Sequence, residues 1–247
     1  MNRLQNCLQF KLKSSIKSTL WFLGIYYIIY LAMFLMLRAM VKSSPRSSGN
    51  MQSGFFIAGA IFLFIYIAAN YKPNFNFLLM FGNTRKNIFL TAVVVNTVIS
   101  ILMSVVSIIS QSLDVTLTNE LSGNGISHNK GLLDMIYQNN VNIASEFLWY
   151  LMLFVTIYSL AMLYGSLSYK FGRIFITVFW IGFGLSWTVL PIMSGLNNGT
   201  ILANALKAFF STGNSNGILL APINFAIASI VFCTATYLLS TRQSQVA

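Results

Sequence analysis

Six long apolar stretches, none with a charged residue in its interior, constrain the fold of this 247-residue chain more than any other feature. They cover residues 19–37, 54–69, 88–109, 147–167, 174–194 and 218–240. About 20 helical residues are needed to cross the ~30 Å hydrocarbon core of a bilayer. The sequence therefore predicts an all-α, polytopic membrane protein with six transmembrane helices.

The composition agrees with a membrane protein that has one domain. Hydrophobic residues make up 56% of the chain and charged residues 8%, whereas a soluble domain is usually about 25% charged. The apolar stretches and short connectors account for residues 19–247, which we expect to form a single transmembrane domain. The first stretch follows about 18 polar or amphipathic residues and has no small-residue cleavage site, so we expect it to be retained.

The charge distribution predicts an orientation in the membrane. The net charge of +11 comes from scattered Lys and Arg residues with no run of five, which favours a membrane protein over a nucleic-acid-binding one. Most of them lie at the N-terminus, in the second and fourth connectors and in the tail. The positive-inside rule therefore places both termini in the cytoplasm, although the cluster Arg38, Lys42 and Arg46 argues the other way. The acidic residues fall on the opposite, outer side: Asp114, Glu120, Asp134 and Glu146.

Residues 1–18 have the pattern of an amphipathic interfacial helix. Leu4, Leu8, Leu12 and Ile16 recur every four residues and form one apolar stripe. The cations on the other side of the helical wheel are Arg3, Lys13 and Lys17. Such a helix lies flat on the membrane with its cations toward anionic headgroups. The alternative is a disordered basic leader before the first span.

The second connector, residues 70–87, combines aromatic and basic residues. Pro73 is expected to end the helix of the second span, and an aromatic patch that includes Phe77 and Phe81 follows it. Gly82-Asn83 predicts a turn. The patch has two interpretations: rings at headgroup depth in the membrane interface, or a short docking helix that inserts into a groove of a cytoplasmic partner.

The stretch from Met80 to Phe89 resembles a signature of the type 2 ATP-binding-cassette (ABC) exporter permeases of bacteria: a small turn, then Ser/Thr-Arg-Lys, then apolar residues. The six-span layout and the basic N-terminal helix are also similar to that family. The resemblance implies that residues 1–18 are an elbow helix and that 70–87 is a cytoplasmic coupling segment. It further implies that the following residues contact the ATPase: Phe77, Phe81, Gly82, Asn83, Thr84, Arg85 and Lys86.

The resemblance also implies the partners. Two cytoplasmic ATPase subunits would bind ATP and Mg²⁺, and a second permease copy or homologue would complete the transporter. The chain departs from many family members before the last span, because residues 196–216 form neither a large outer domain nor a clearly apolar hairpin. Residues 201–210 are compatible with a short helix.

The third connector, residues 110–145, is predicted to be an extracellular loop. It is the longest connector and holds most of the acids and the single histidine, His128. We interpret it as a charged surface loop, with an outer gate or release surface as the alternative, and residues 132–139 as a brief helix. His128 with dispersed carboxylates is too weak a pattern for a metal site. Cys7 and Cys233 match neither a disulfide framework nor a metal-binding motif.

Small polar side chains recur inside the apolar stretches. Small polar residues commonly join membrane helices, and they can also line a path for an amphipathic substrate. The candidates for a translocation path are Asn96, Ser100, Ser104, Thr156 and Ser159.

The chain lacks motifs for enzymatic chemistry. It has no Walker A loop, no Gly-x-Ser-x-Gly elbow and no His-Glu-x-x-His, so we expect a non-enzyme that binds no cofactor itself. The resemblance predicts a permease subunit of an ATP-driven exporter in the bacterial cell membrane, moving a peptide, antimicrobial or lipid-like molecule outward. The alternative is a non-transporting immunity or sensory protein that binds a peptide or partner.

Overall fold

The structure is a computed structural model that describes residues 3–43, 54–122, 142–196, 209–210 and 217–242. The regular elements within these ranges are all helices. We number the long ones α1 (Arg3–Ser43), α2 (Phe55–Met80), α3 (Arg85–Ser122), α4 (Ile143–Leu196) and α5 (Gly217–Arg242). The all-helical part of the prediction is therefore confirmed for the described chain.

Five segments of these helices are long and apolar enough to cross a bilayer. They are Gln5–Met36, Phe55–Met80, Arg85–Asp114, Ile143–Gly172 and Ile218–Thr241. They coincide to within one residue with, or contain, five of the six predicted spans, so the chain is a helical membrane protein. The remaining predicted span, 174–194, lies on the second part of α4. Side chains there are described only as far as Ile181, and the sixth crossing stays a prediction.

α4 is two helices joined by a sharp break at Gly172. This residue has φ 65° and ψ −147°, a backbone conformation that is essentially confined to glycine. The Tyr164 ring lies 4.7 Å from the Phe179 ring, although a straight helix would separate the two residues by about 22 Å along its axis. The chain therefore turns back toward itself at Gly172. We call the two arms α4a (143–171) and α4b (173–196).

Successive helices run in opposite directions, so the bundle has two distinct ends. At one end, which we call proximal, Arg85 at the start of α3 donates a hydrogen bond from Nη1 to the carbonyl of Thr241 at the end of α5, at 3.4 Å. At the other, distal end, the hydroxyls of Tyr27 in α1 and Ser110 in α3 lie 2.7 Å apart. The start of α1, the turn between α2 and α3 and the end of α5 therefore share the proximal end.

α3 and α4 form the centre of the bundle: α4 packs against α2, α3 and α5, and α3 packs against all four of the other long helices. In α4a, 50% of the residues in the most apolar 18-residue stretch are buried. The corresponding share in α1 is 11%, so α1 is peripheral. The main core cluster joins side chains of α2, α3, α4a and α5: Phe55, Leu63, Val95, Ile99, Met103, Trp149, Tyr150, Phe154, Ala221 and Phe225.

α1 continues as one helix through the junction expected after residue 18, and a separate elbow helix is not confirmed. Its buried side chains in this region are Cys7, Ser15 and Thr19, spaced by multiples of four residues. Leu8, Leu12 and Ile16 of the predicted apolar stripe lie beside this face and are half-buried. Small and polar residues pack well between membrane helices, because apolar side chains are equally stable in lipid.

Pro73 does not end α2, which was the expectation from the sequence, and lies inside the helix. A proline removes one backbone hydrogen bond and strains the preceding turn. The following turns are held by packing, because Phe75 and Leu78 are buried against Cys7 and Ile88. Residues 70–80 are therefore helical, and the connector between the helices is much shorter than 70–87.

The predicted start of the outer loop at residue 110 is also too early. α3 continues to Ser122, and α4 begins at Ile143. The hydroxyls of Ser112 and Thr116 donate to the carbonyls four residues earlier, which lets polar residues continue the helix. Residues 123–141, which include His128, Asp134 and the expected helix at 132–139, lie outside the described residues. Most of the expected helix at 201–210 does as well.

Candidate functional site

The connection between α2 and α3 is a tight turn whose geometry follows from Gly82, Asn83 and Thr84. Gly82 has φ 71°, in the left-handed region that favours glycine. Its N–H donates to the carbonyl of Leu79 at 2.9 Å, and the N–H of Asn83 donates to the carbonyl of Leu78 at 3.2 Å. These two bonds form a Schellman motif, which satisfies the last carbonyls of α2. The turn predicted at Gly82-Asn83 is confirmed.

Thr84 then caps the start of α3. Its Oγ1 accepts a hydrogen bond from the N–H of Asn87 at 3.3 Å, and its carbonyl accepts one from the N–H of Ile88 at 3.0 Å. A threonine in this role satisfies a donor that the first helical turn leaves free. The segment 81–84 is therefore a capped turn of a helical hairpin. A separate docking helix, which was the second interpretation of the aromatic patch, does not occur between α2 and α3.

Exposed aromatic and apolar side chains cover the proximal end beside this turn. Phe77 is 40% exposed, Phe81 66%, Met80 86% and Phe10 of α1 49%. The Phe77 ring lies 5.1 Å from the Phe10 ring and 4.6 Å from the Phe81 ring. We call these four residues the proximal aromatic surface. The sequence alone did not reveal Phe10, because its place next to Phe77 depends on how α1 packs against α2.

A shallow groove of about 250 Å³ runs along this surface, between the start of α1 and the hairpin. Its lining includes Asn6 and Phe10 on one side, and Phe77, Phe81 and Asn83 on the other. A concave surface with aromatic walls and amide groups at its edge can accept an apolar side chain of a partner protein.

The two predicted cations at the hairpin have different surroundings. Lys86 is exposed. Arg85 is half-buried and donates to the Thr241 carbonyl, so it also neutralises the C-terminal end of the α5 dipole. The exposed Lys86 side chain is therefore more accessible to a partner protein than Arg85, which also holds the end of α5.

The five predicted path residues are all buried where helices meet. Thr156 Oγ1 lies 2.8 Å from the Met152 carbonyl oxygen and 2.9 Å from the Phe225 carbonyl oxygen of α5, so the two carbonyls share its single hydroxyl proton. The Cys233 thiol donates to Ser159 Oγ at 3.3 Å. These contacts join α4a to α5, as expected for polar residues that stabilise helix packing.

The remaining path residues lie on α3. Ser104 Oγ donates to the Ser100 carbonyl at 2.7 Å, while the Ser100 hydroxyl itself has no hydrogen-bond partner among the described residues. The Asn96 amide contacts the Met162 sulfur at 3.5 Å. Their role in a translocation path stays a prediction.

A polar network at the distal end was not foreseen from the sequence. Tyr30 of α1 donates to Asp114 of α3. Gln111 of α3 donates to the carboxylate of Glu146 at 3.0 Å and accepts a hydrogen bond from Tyr150 at 2.9 Å. Glu146 is only 8% exposed. The network joins α1, α3 and α4a, and nothing in the spacing of these residues along the chain indicates it.

No group of three or more His, Cys, Asp or Glu side chains that could hold a metal ion occurs in the described part of the chain.

Comparison with protein-family models, with curated proteins and with solved structures finds no match for this chain. The likeness to type 2 exporter permeases therefore rests on residues 80–89 and on the helical layout.

Proposed function

We propose that this chain is the membrane-spanning permease subunit of an ATP-driven exporter of the ABC class. Separate ATPase subunits bind ATP and Mg²⁺ and dock on the proximal end. That end then faces the cytoplasm of a bacterial cell, in agreement with the basic residues around it. The cargo is a hydrophobic or amphipathic molecule, such as a peptide, an antimicrobial or a lipid-like compound.

The observation that carries this proposal is the proximal hairpin. Its turn is held by a Schellman motif and a threonine cap, so it is a rigid element that transmits force between a soluble partner and two long helices. It presents exposed rings at Phe77 and Phe81 and an exposed cation at Lys86. Aromatic anchors next to a charge are typical of the residues that dominate protein–protein affinity.

A second copy or a homologue of the chain completes the proposed transporter. The apolar faces of peripheral helices leave room for lateral association, and homo-oligomers with two-fold symmetry are the commonest kind. Closure of the two ATPases on nucleotide binding would then tilt the helices that the hairpins join.

The test is a detergent pull-down of the tagged full-length chain from its native host, followed by mass identification of bound proteins and an ATPase assay. We expect a stoichiometric Walker-motif ATPase whose turnover rises when the chain is present. An intact membrane protein that captures no ATPase would contradict the proposal and favour the immunity or sensory alternative.

A further inference from the structure

A small cavity lies near the proximal end, lined by side chains from all five helices; most of its surface is apolar, with a few polar groups among the lining residues. It holds about 40 Å³ of space, enough for a few water molecules. Amide, hydroxyl and ammonium groups dominate its polar lining, to which α1, α2 and α3 contribute Lys11, Ser15, Tyr66, Asn70, Asn74 and Asn96.

Lys11 is the one cation in this lining, and no carboxylate accompanies it. The carboxylates that the structure describes, Asp114 and Glu146, belong to the network at the distal end. Lys11 is half-buried and lies within the candidate membrane span Gln5–Met36. A cation inside a membrane protein costs several kcal/mol unless an opposite charge or strong acceptors surround it, and such a residue usually marks a functional site.

Some neighbouring donors in the cavity have poor acceptors in this structure, although the Asn70 amide donates to the Tyr66 carbonyl at 2.8 Å. The Asn96 amide contacts the thioether sulfur of Met162 at 3.5 Å, and the hydroxyls of Tyr66 and Ser15 lie 3.4 Å apart. A thioether is a weak acceptor. An anionic oxygen in the cavity would give these donors stronger hydrogen bonds and would neutralise Lys11.

The outer end of the cavity lies close to the depth of lipid headgroups. Asn74 lies six residues before the end of α2, about 9 Å along the helix axis, and Asn96 lies about 16 Å beyond the start of α3. With the hairpin at the outer edge of the headgroup layer, the end of the cavity at Asn74 lies near the boundary between headgroups and acyl chains, and the end at Asn96 lies deeper. Basic pockets between membrane helices at this depth bind phosphate-bearing headgroups.

We propose that this cavity binds a phosphate group, with Lys11 as its counter-ion and the neighbouring asparagine amides as hydrogen-bond donors. The group comes from an anionic phospholipid or from free phosphate, and the test separates these two sources. This site is independent of the transport function proposed above, since it requires neither an ATPase nor a cargo.

The experiment is native mass spectrometry of the full-length chain with added phosphatidylglycerol or phosphatidylcholine of matched acyl chains. We expect one tightly bound phosphatidylglycerol, with about tenfold weaker binding in Lys11→Gln, since hydrogen bonds to charged groups are the strong ones. Lys11→Arg keeps the charge and should keep the lipid. The matched control is Lys13→Gln, an exposed lysine on the same helix, which should bind like the unmodified chain.

Thermal unfolding in inorganic phosphate separates the two sources. If the unfolding temperature rises with phosphatidylglycerol but not with inorganic phosphate, the ligand is the lipid. If it rises with inorganic phosphate and Lys11→Gln abolishes the rise, the ligand is the free anion. If Lys11→Gln does not fold, Asn74→Ala should weaken binding a few-fold. Phosphatidylglycerol binding that Lys11→Gln leaves unchanged, without a phosphate shift, would overturn the site, as would equal losses in the Lys11 and Lys13 variants.

Discussion

At the scale of single residues, the conformation of Gly82 sets the geometry of the hairpin. Its φ of 71° costs a residue with a side chain about 1–2 kcal/mol. Gly82→Ala should therefore lower the free energy of unfolding by about 1 kcal/mol, measured by thermal unfolding in detergent. Gly24→Ala is the matched control, since Gly24 is helical and has open space around it. That change should leave stability equal or raise it.

A second prediction at this scale concerns Lys86. Lys86→Glu reverses an exposed charge at the hairpin, and we expect about tenfold weaker co-purification of the ATPase, because like charges at an interface are costly. Lys13→Glu makes the same change on α1 and serves as the control. Membrane insertion should be normal in both. Unchanged ATPase binding and turnover in Lys86→Glu would remove the hairpin from the proposed interface.

At the scale of helices, close packing depends on glycines. A Cβ on Gly165 of α4a would lie 2.6 Å from Tyr71 Cβ in α2, whereas the one close contact of a Cβ on Gly59 would be with the flexible end of Met103, at 2.8 Å. Small residues at such positions let membrane helices approach. Gly165→Ala should therefore destabilise the protein by about 1–3 kcal/mol, and Gly59→Ala by less, in thermal unfolding. A larger loss in Gly59→Ala would contradict this packing.

The break at Gly172 also belongs to this scale. Its φ of 65° with ψ of −147° is strained for any other residue, although the space around it is open. A substitution at Gly172 would therefore strain the backbone where α4 turns back, without causing a side-chain clash.

For the whole molecule, the alternating directions of the helices predict where labels will react. The proximal hairpin and the start of α4 lie at opposite ends of the bundle. In a chain without its native cysteines, Lys86→Cys should react from the cytoplasmic side and Asn142→Cys from the outside. Impermeant maleimides applied to intact cells and to inverted vesicles provide the measurement. Labelling of both positions from one side would disprove the arrangement.

Local chemistry made part of the structure predictable. The turn at Gly82-Asn83 follows from residues that contact one another along the chain, so a short stretch of sequence contains the needed information. Pro73 shows the limit of this reasoning. Its local preference to end a helix is outweighed by packing of Phe75 and Leu78 against residues from other helices.

The sequence by itself determined that this is a helical membrane protein, because long uncharged stretches are stable in lipid only when their backbone groups bond within a helix. Only the tertiary structure decided which face of each helix points inward. Apolar side chains are as stable in lipid as against protein, so the leucine stripe of α1 does not identify its buried face. Contacts with α2 and α3 bring Lys11 and Ser15 into the bundle and Phe10 onto Phe77.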